Sequence, residues 1–205
     1  MSITLLEPHE IEKKSFEIIS ATLQNYTYDE TNASVIKRCI HTSADFDYAA
    51  NLYFSPNVLA IFKELFRNGC CIVTDTQMAK AGINKKLAAA FGIEIECFIA
   101  DDDVAAGALE RGVTRAIIAV EKALRLDKPV VFAVGNAPTA LIRLYDAVAH
   151  GYRPAGVIAV PVGFVNVVES KEMIMQTDVP CIVARGRKGG SNIAAAICNA
   201  VLREI

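Results

Sequence analysis

Histidine is scarce in this chain. The three present, His9, His41 and His150, cannot form the His-x-x-x-His pair of a helix-borne zinc site. Nucleotide and hydrolase signatures are missing as well. There is no Gly-x-Gly-x-x-Gly, no Gly-x-x-x-x-Gly-Lys-Ser/Thr and no Gly-x-Ser-x-Gly. Dinucleotide redox chemistry, P-loop phosphoryl transfer, α/β-hydrolase chemistry and zinc catalysis all lose their usual support.

Excess positive charge is absent too. Twenty-one Lys and Arg against 23 Asp and Glu leave a net charge of −2. An electrostatic nucleic-acid binder needs a concentrated basic excess, so nucleic acid is not an expected partner, and an anionic ligand would need a local cluster of cations. Long apolar runs are also lacking. The longest uncharged stretch, Pro154 to Val168, is broken by Pro161, Gly163 and Asn166, short of the ~18 apolar residues of a membrane span. Met1 to Glu12 has neither the basic nor the apolar region of a signal peptide. None of the six cysteines, Cys39, Cys70, Cys71, Cys97, Cys181 and Cys198, forms a Cys-x-x-Cys pair. Adjacent Cys70 and Cys71 would point to opposite faces of a strand, which makes joint metal ligation poor. A soluble, cytoplasmic protein with buried, reduced thiols is expected.

Apolar residues are plentiful, at 53% of 205 residues, enough for one sizeable core and a single domain over 1–205. The first part has helical spacing. Pro8 to Leu23 carries Ile11, Phe16, Ile18, Ile19 and Leu23 at helical intervals, and Asp29 can cap a second helix through Val35, Ile36, Cys39 and Ile40. Ser55-Pro56 reads as the cap and first turn of a third, with Val58, Leu59, Phe62, Leu65 and Phe66 on its apolar face and Gly69 at its end. From residue 70 the pattern changes. Short apolar runs at Cys70–Val73, Ile93–Ile99, Val130–Val134, Val157–Val160 and Cys181–Ala184 alternate with helical stretches ending at Phe91-Gly92 and His150-Gly151. Near-continuous hydrophobicity is what parallel strands covered on both faces show. The pattern predicts a three-layer α/β/α fold with a mostly parallel five-stranded sheet and extra N-terminal helices.

Ligands of such sheets bind beyond the carboxyl ends of the strands. There the loop Arg185-Gly186-Arg187-Lys188-Gly189-Gly190-Ser191 sets three cations and backbone N–H groups before the last helix, an arrangement that suits a carboxylate or phosphate. A solvated turn is the plainer alternative. Gly135-Asn136-Ala137-Pro138-Thr139 reads equally as a tight turn or as backbone donors beside a ligand. His41 follows the second helix, with Asp45 and Asp47 close by to orient it and favour its charged form as an acid or base. Structural or merely exposed histidines are commoner at such positions. His150 suits a helix C-terminus, His9 reads as a surface residue, and Asp101-Asp102-Asp103 reads as an acidic helix start rather than a metal site. From these residues alone the function stays open.

Several segments together resemble the precorrin-8X methylmutase family, isomerases of corrin-ring biosynthesis. They are Lys14-Ser15-Phe16, Arg38 to Tyr48, Phe54-Ser55-Pro56, Val134 to Leu141 (VGNAPTAL), Pro161 to Lys171 (PVGFVNVVESK) and Val183 to Ser191 (VARGRKGGS). The resemblance implies a 1,5-shift of a methyl group from C11 to C12 of the macrocycle, giving hydrogenobyrinate or its cobalt form, with no cofactor and no protein-bound metal. It assigns His41 as the catalytic proton donor and acceptor, and Ser15 and Arg38 as substrate contacts. A substrate bearing acetate and propionate groups extends the set to Thr74, Arg115, Asn136, Arg185, Arg187 and Lys188. The resemblance also implies a homodimer, and the stretch from His41 to Tyr48 is closer to the cobalt-using branch. Two rivals remain: a corrinoid carrier of the same fold, which would not need His41, and an unrelated isomerase or lyase with a small polar pocket.

Overall fold

The computed structural model describes residues 7–205, apart from the side chains of Pro8 and His9. The surface position expected for His9 therefore lies outside the described residues. The first described element is α1 (Pro8–Leu23), the span that the spacing predicts. Asp29 does not cap the second helix directly. Its carboxylate accepts the Thr31 N–H at 2.9 Å and starts a short 3-10 turn, Glu30–Asn32, which runs into α2 (Ala33–Ser43). One more turn, α3 (Tyr48–Asn51), leads into β1 (Leu52–Phe54), followed by α4 (Val58–Arg67) and β2 (Cys71–Thr74).

The rest alternates. After α5 (Gln77–Gly82) and α6 (Lys85–Ala90) comes β3 (Glu94–Glu96), then α7 (Asp102–Arg111), α8 (Arg115–Ala123) and β4 (Val130–Val134). Then α9 (Pro138–Ala149), β5 (Gly156–Ala159), α10 (Val167–Met175), β6 (Cys181–Ala184) and α11 (Ser191–Leu202) complete the chain. The strands form one sheet in the order β1-β6-β5-β4-β2-β3, parallel throughout except for β1, which runs antiparallel to β6.

Among the described residues the sheet thus has six strands, not the five expected. The extra one, β1, is three residues long and leaves no period-2 pattern to read. Ser55 extends it: its N–H donates to the Cys181 carbonyl at 2.9 Å, and its Oγ accepts the Cys181 N–H at 2.8 Å. Ser55 is therefore committed to the sheet edge and does not cap α4. That helix instead starts after Asn57, which takes a left-handed conformation at φ 59°. The Ile93–Ile99 run forms strand only over Glu94–Glu96, at the opposite edge.

Alternate strand residues fall into two separate cores. Ile72, Val131, Ile158 and Ile182 pack with α2, α4 and α11, while Val73, Phe132, Val157 and Val183 pack with α8, α9 and α10. Cys70 and Cys71 divide between the two faces as the pleat requires. Fully buried Phe62 from α4 lies directly over Gly156 of β5, where any Cβ would overlap its ring. Gly156→Ala should therefore cost about 1–3 kcal/mol through overpacking, read by denaturant unfolding; an unchanged midpoint would contradict the contact. Among the described residues no helix is long and apolar enough to cross a membrane.

Candidate active site

At the carboxyl edge of the parallel strands the loops are wired to one another. Asp75, immediately after β2, is 8% exposed. Its carboxylate accepts the N–H groups of Gly135 at 2.8 Å and of Asn136 and Ala137 at 2.7 Å. Burial raises the Asp75 pKa, opposed by these amide donors. The backbone donors of the 135–139 turn thus face the protein's own carboxylate, and the tight-turn reading holds for the main chain there. Gly135 is needed for close approach, because a Cβ would stand 2.7 Å from Ser191 Cα. Ser191 Oγ in turn lies 2.7 Å from Thr76 Oγ1. Thr74 is 2% exposed and its hydroxyl donates to the carbonyls of Thr76 and Glu96 at 3.1 and 3.2 Å. Its role is internal, so it leaves the set of direct substrate contacts. Asn136 keeps an exposed side chain.

The basic loop is also anchored from within. Lys171 of α10 is fully buried, and its ammonium donates to the carbonyls of Gly186 at 2.8 Å and Lys188 at 2.9 Å. Burial pushes its pKa down to about 8. A Cβ on Gly189 would overlap the Val160 carbonyl, and the Gly190 N–H donates to that same oxygen at 2.8 Å. Those glycines therefore let the loop pack closely on the residue that follows β5.

Lys188 pairs with Asp45 at 2.6 Å and Asp47 at 2.5 Å, and these carboxylates hold its pKa well above the usual lysine value. This corrects two expectations. Asp45 and Asp47 engage Lys188 rather than His41, and Lys188 is a clasp between the loop and the turn after α2 rather than a free cation. Arg185 and Arg187 stay exposed, their guanidiniums 5.2 Å from the Tyr53 ring centre and 5.8 Å from that of Phe164. Phe164 itself is 82% exposed, beside exposed Val162 and Val165. Cationic and apolar surface therefore meet at this edge.

His41 is exposed in the last turn of α2, which ends at Ala44 in a left-handed cap at φ 56°. It borders a cleft of about 290 Å³ shared with Arg38, Gly82, Asn192 and Arg203. Arg38 and His41 stand one turn apart on α2 and both lie on Phe16 of α1. The imidazole stacks at 5.2 Å between ring centres and the guanidinium sits 4.6 Å from the ring centre. Glu12 fixes the other side of Arg38 at 2.6 Å and reaches Arg203 at 3.4 Å. The hydrogen bond from Arg38 lowers the Glu12 pKa. Ser15, on the same helix as Phe16, donates to the Ile11 carbonyl at 2.8 Å.

Arg38 and His41 are thus brought together on Phe16 by the contact of α1 with α2, whereas Ser15 bonds only within α1, and the Lys188 clasp ties the basic loop to the His41 end of α2. Arg115 is elsewhere. It lines a groove of about 590 Å³ along α7 and α8, with Leu109 and Val113. The Thr114–Thr139 hydroxyl contact at 2.9 Å sets its helix start beside that of α9. Asp101 precedes α7 and Asp102 and Asp103 open it, with Asp101 and Asp103 paired to Lys122, as an acidic helix start does. His150 caps α9, its Nδ1 2.8 Å from the Asp146 carbonyl. Four site residues carried no assigned role in the sequence: Glu12, Phe16, Asp75 and Lys171. Phe16 and Lys171 sit inside the family-like segments, and a lysine among apolar helix positions was the available signal for the latter.

The chain is similar to known proteins along nearly its whole length. A cobalt-precorrin-8 methylmutase of Salmonella typhimurium strain LT2 is 46% identical over 202 residues, covering 96% of this chain and 95% of that protein. Another from Priestia megaterium is 39% identical, covering 96% of this chain and 88% of that protein. The crystal structure of a precorrin-8X methylmutase from Thermus thermophilus matches with a TM-score of 0.85 at 37% identity, over 94% of this chain and 96% of that one. The precorrin-8X methylmutase family profile spans residues 10–204, and the chain belongs to that family, the isomerases of corrin biosynthesis.

Proposed function

We propose that this chain, a single domain over 1–205, converts cobalt-precorrin-8 to cobyrinate by moving the C11 methyl group to C12, with His41 as the proton donor and acceptor. The observation that carries the reading is the exposed imidazole of His41 at the cleft, braced on Phe16 beside Arg38. Protonation of the conjugated ring as the methyl group migrates, and return of the proton afterwards, needs one positioned acid/base and no covalent intermediate. Arg38, Ser15, Asn136, Arg185 and Arg187 are the proposed contacts for the substrate's polar groups, with Lys188 and Thr74 as supports. Exposed Phe164 and Val165 beside Arg187 suit a broad ring edged by carboxylates.

Cobalt belongs to the substrate in this reading, and the reaction calls for no cofactor. The cobalt form is favoured because the Salmonella and Priestia relatives are cobalt-precorrin-8 methylmutases. The two separate cores support reading the sheet as the middle of three layers, and a cytoplasmic homodimer completes the proposal. Anaerobic incubation with cobalt-precorrin-8 and, separately, precorrin-8 tests it. Cobalt-precorrin-8 should develop the visible spectrum of the extended corrin chromophore with the higher kcat/KM. Conversion of neither substrate would refute the isomerase, and a preference for precorrin-8 would refute the metal assignment.

A further inference from the structure

Lys171 is the one fully buried charged side chain among the described residues, and the chemistry at His41 does not use it. No carboxylate lies within ion-pair distance of it among those residues. A buried ammonium without an anion is costly, so an apolar residue would suit this core position better unless the charge does something. What it touches is specific. Both acceptors are main-chain carbonyls of the basic loop, Gly186 and Lys188, on either side of Arg187.

A trans peptide unit points its C=O and N–H in opposite directions. With the Gly186 and Lys188 carbonyls drawn inward to Lys171, the N–H groups of the same two peptide units, those of Arg187 and Gly189, turn away from it. Neither donates to a protein acceptor among the described residues, whereas the Gly190 N–H next along is bonded to Val160. The intervening peptide is fixed separately, since the Arg187 carbonyl accepts from the Gly163 N–H at 3.2 Å. Two outward N–H groups, flanked by the exposed guanidiniums of Arg185 and Arg187, make a cradle for an anion.

We propose that Lys171 is a positioning residue for substrate capture: by holding the Gly186 and Lys188 carbonyls inward it presents the Arg187 and Gly189 N–H groups, together with Arg185 and Arg187, to one carboxylate of the tetrapyrrole. The proposal rests on the methylmutase reading and deepens it. Lys171 touches no substrate atom. Burial with no carboxylate beside it lowers its pKa to about 8. The same carbonyl contact fixes the backbone from which Lys188 reaches Asp45 and Asp47, so the cradle is kept in register with the end of the His41 helix.

The test is Lys171→Met in the full chain, assayed anaerobically with cobalt-precorrin-8. The variant should raise KM about tenfold while kcat stays within about twofold, because binding shared by ground and transition states is what is lost. Amide exchange over residues 185–190 should quicken without change elsewhere in the sheet. An active wild type beside a folded variant of unchanged KM would overturn the proposal alone, and so would a fall in kcat at constant KM. A wild type that converts no substrate would instead sink the methylmutase reading. If the variant does not fold, the Lys171 ammonium of the wild type is observed by nitrogen-15 NMR during titration with dicyanocobalt cobyrinate. A water-protected signal that shifts on saturation is expected; one that is unprotected, or that stays put, overturns the assignment.

Discussion

His41→Ala should lower turnover of cobalt-precorrin-8 by about 10²–10⁴-fold, the range that a single positioned acid/base contributes. Affinity for the tetrapyrrole should stay within about threefold of the wild type, because Arg38 and the basic loop are untouched. The fold should survive as well. His41 is exposed, so its removal leaves no cavity, and Phe16 keeps the Arg38 guanidinium on its face. Loss of the imidazole stack on Phe16 costs about 0.5–1.5 kcal/mol at most. Single-turnover kinetics and equilibrium spectral titration of the same preparation separate the two effects. Equal losses of affinity and turnover would recast His41 as a binding residue. A carrier would show unchanged binding and no turnover to lose.

Asp75→Ala should cost about 3–5 kcal/mol of stability, the largest effect expected of any single change at the strand ends. Its carboxylate is the acceptor for three successive N–H groups, those of Gly135, Asn136 and Ala137. Each donor left buried without a partner costs about 1–3 kcal/mol, moderated where water can reach it. Against a typical total of about 5–15 kcal/mol, that is a large share. Asp75→Asn keeps one acceptor oxygen of the same shape and should lose less than half as much. Denaturant unfolding of both variants decides the matter. A cost below about 1 kcal/mol for the alanine variant would mean that the turn finds other acceptors.

What was readable in the sequence follows from which forces are local. β2, β4, β5 and β6 are buried along their whole length, so each appears as an unbroken apolar run bounded by turn residues. The strand β1 has no such signature: Leu52, Tyr53 and Phe54 become strand only because β6 offers an unpaired edge. Ser55 resembles a helix cap for the same reason, since its actual partner, Cys181, is 126 positions away. The chemistry divides in the same way. The basic loop and His41 are conspicuous by residue type, but the direction in which each side chain is spent is set by distant partners. Lys188 is claimed by Asp45 and Asp47, more than 140 positions earlier, where only adjacency to His41 was visible. The Gly135 turn is claimed by Asp75 through bonds that span 60 positions and more. Composition and spacing carry no record of such pairings.

The proposed reaction is defined by where one methyl group goes. Cobalt-precorrin-8 labelled with carbon-13 in its C11 methyl group is incubated anaerobically with the protein, and the product is converted to its dicyanocobalt form for carbon-13 NMR. The label should appear intact on C12 with the wild type, and should stay on C11 with His41→Ala. Label remaining on C11 in the wild type, or migrating at the wild-type rate without the imidazole, would contradict the account.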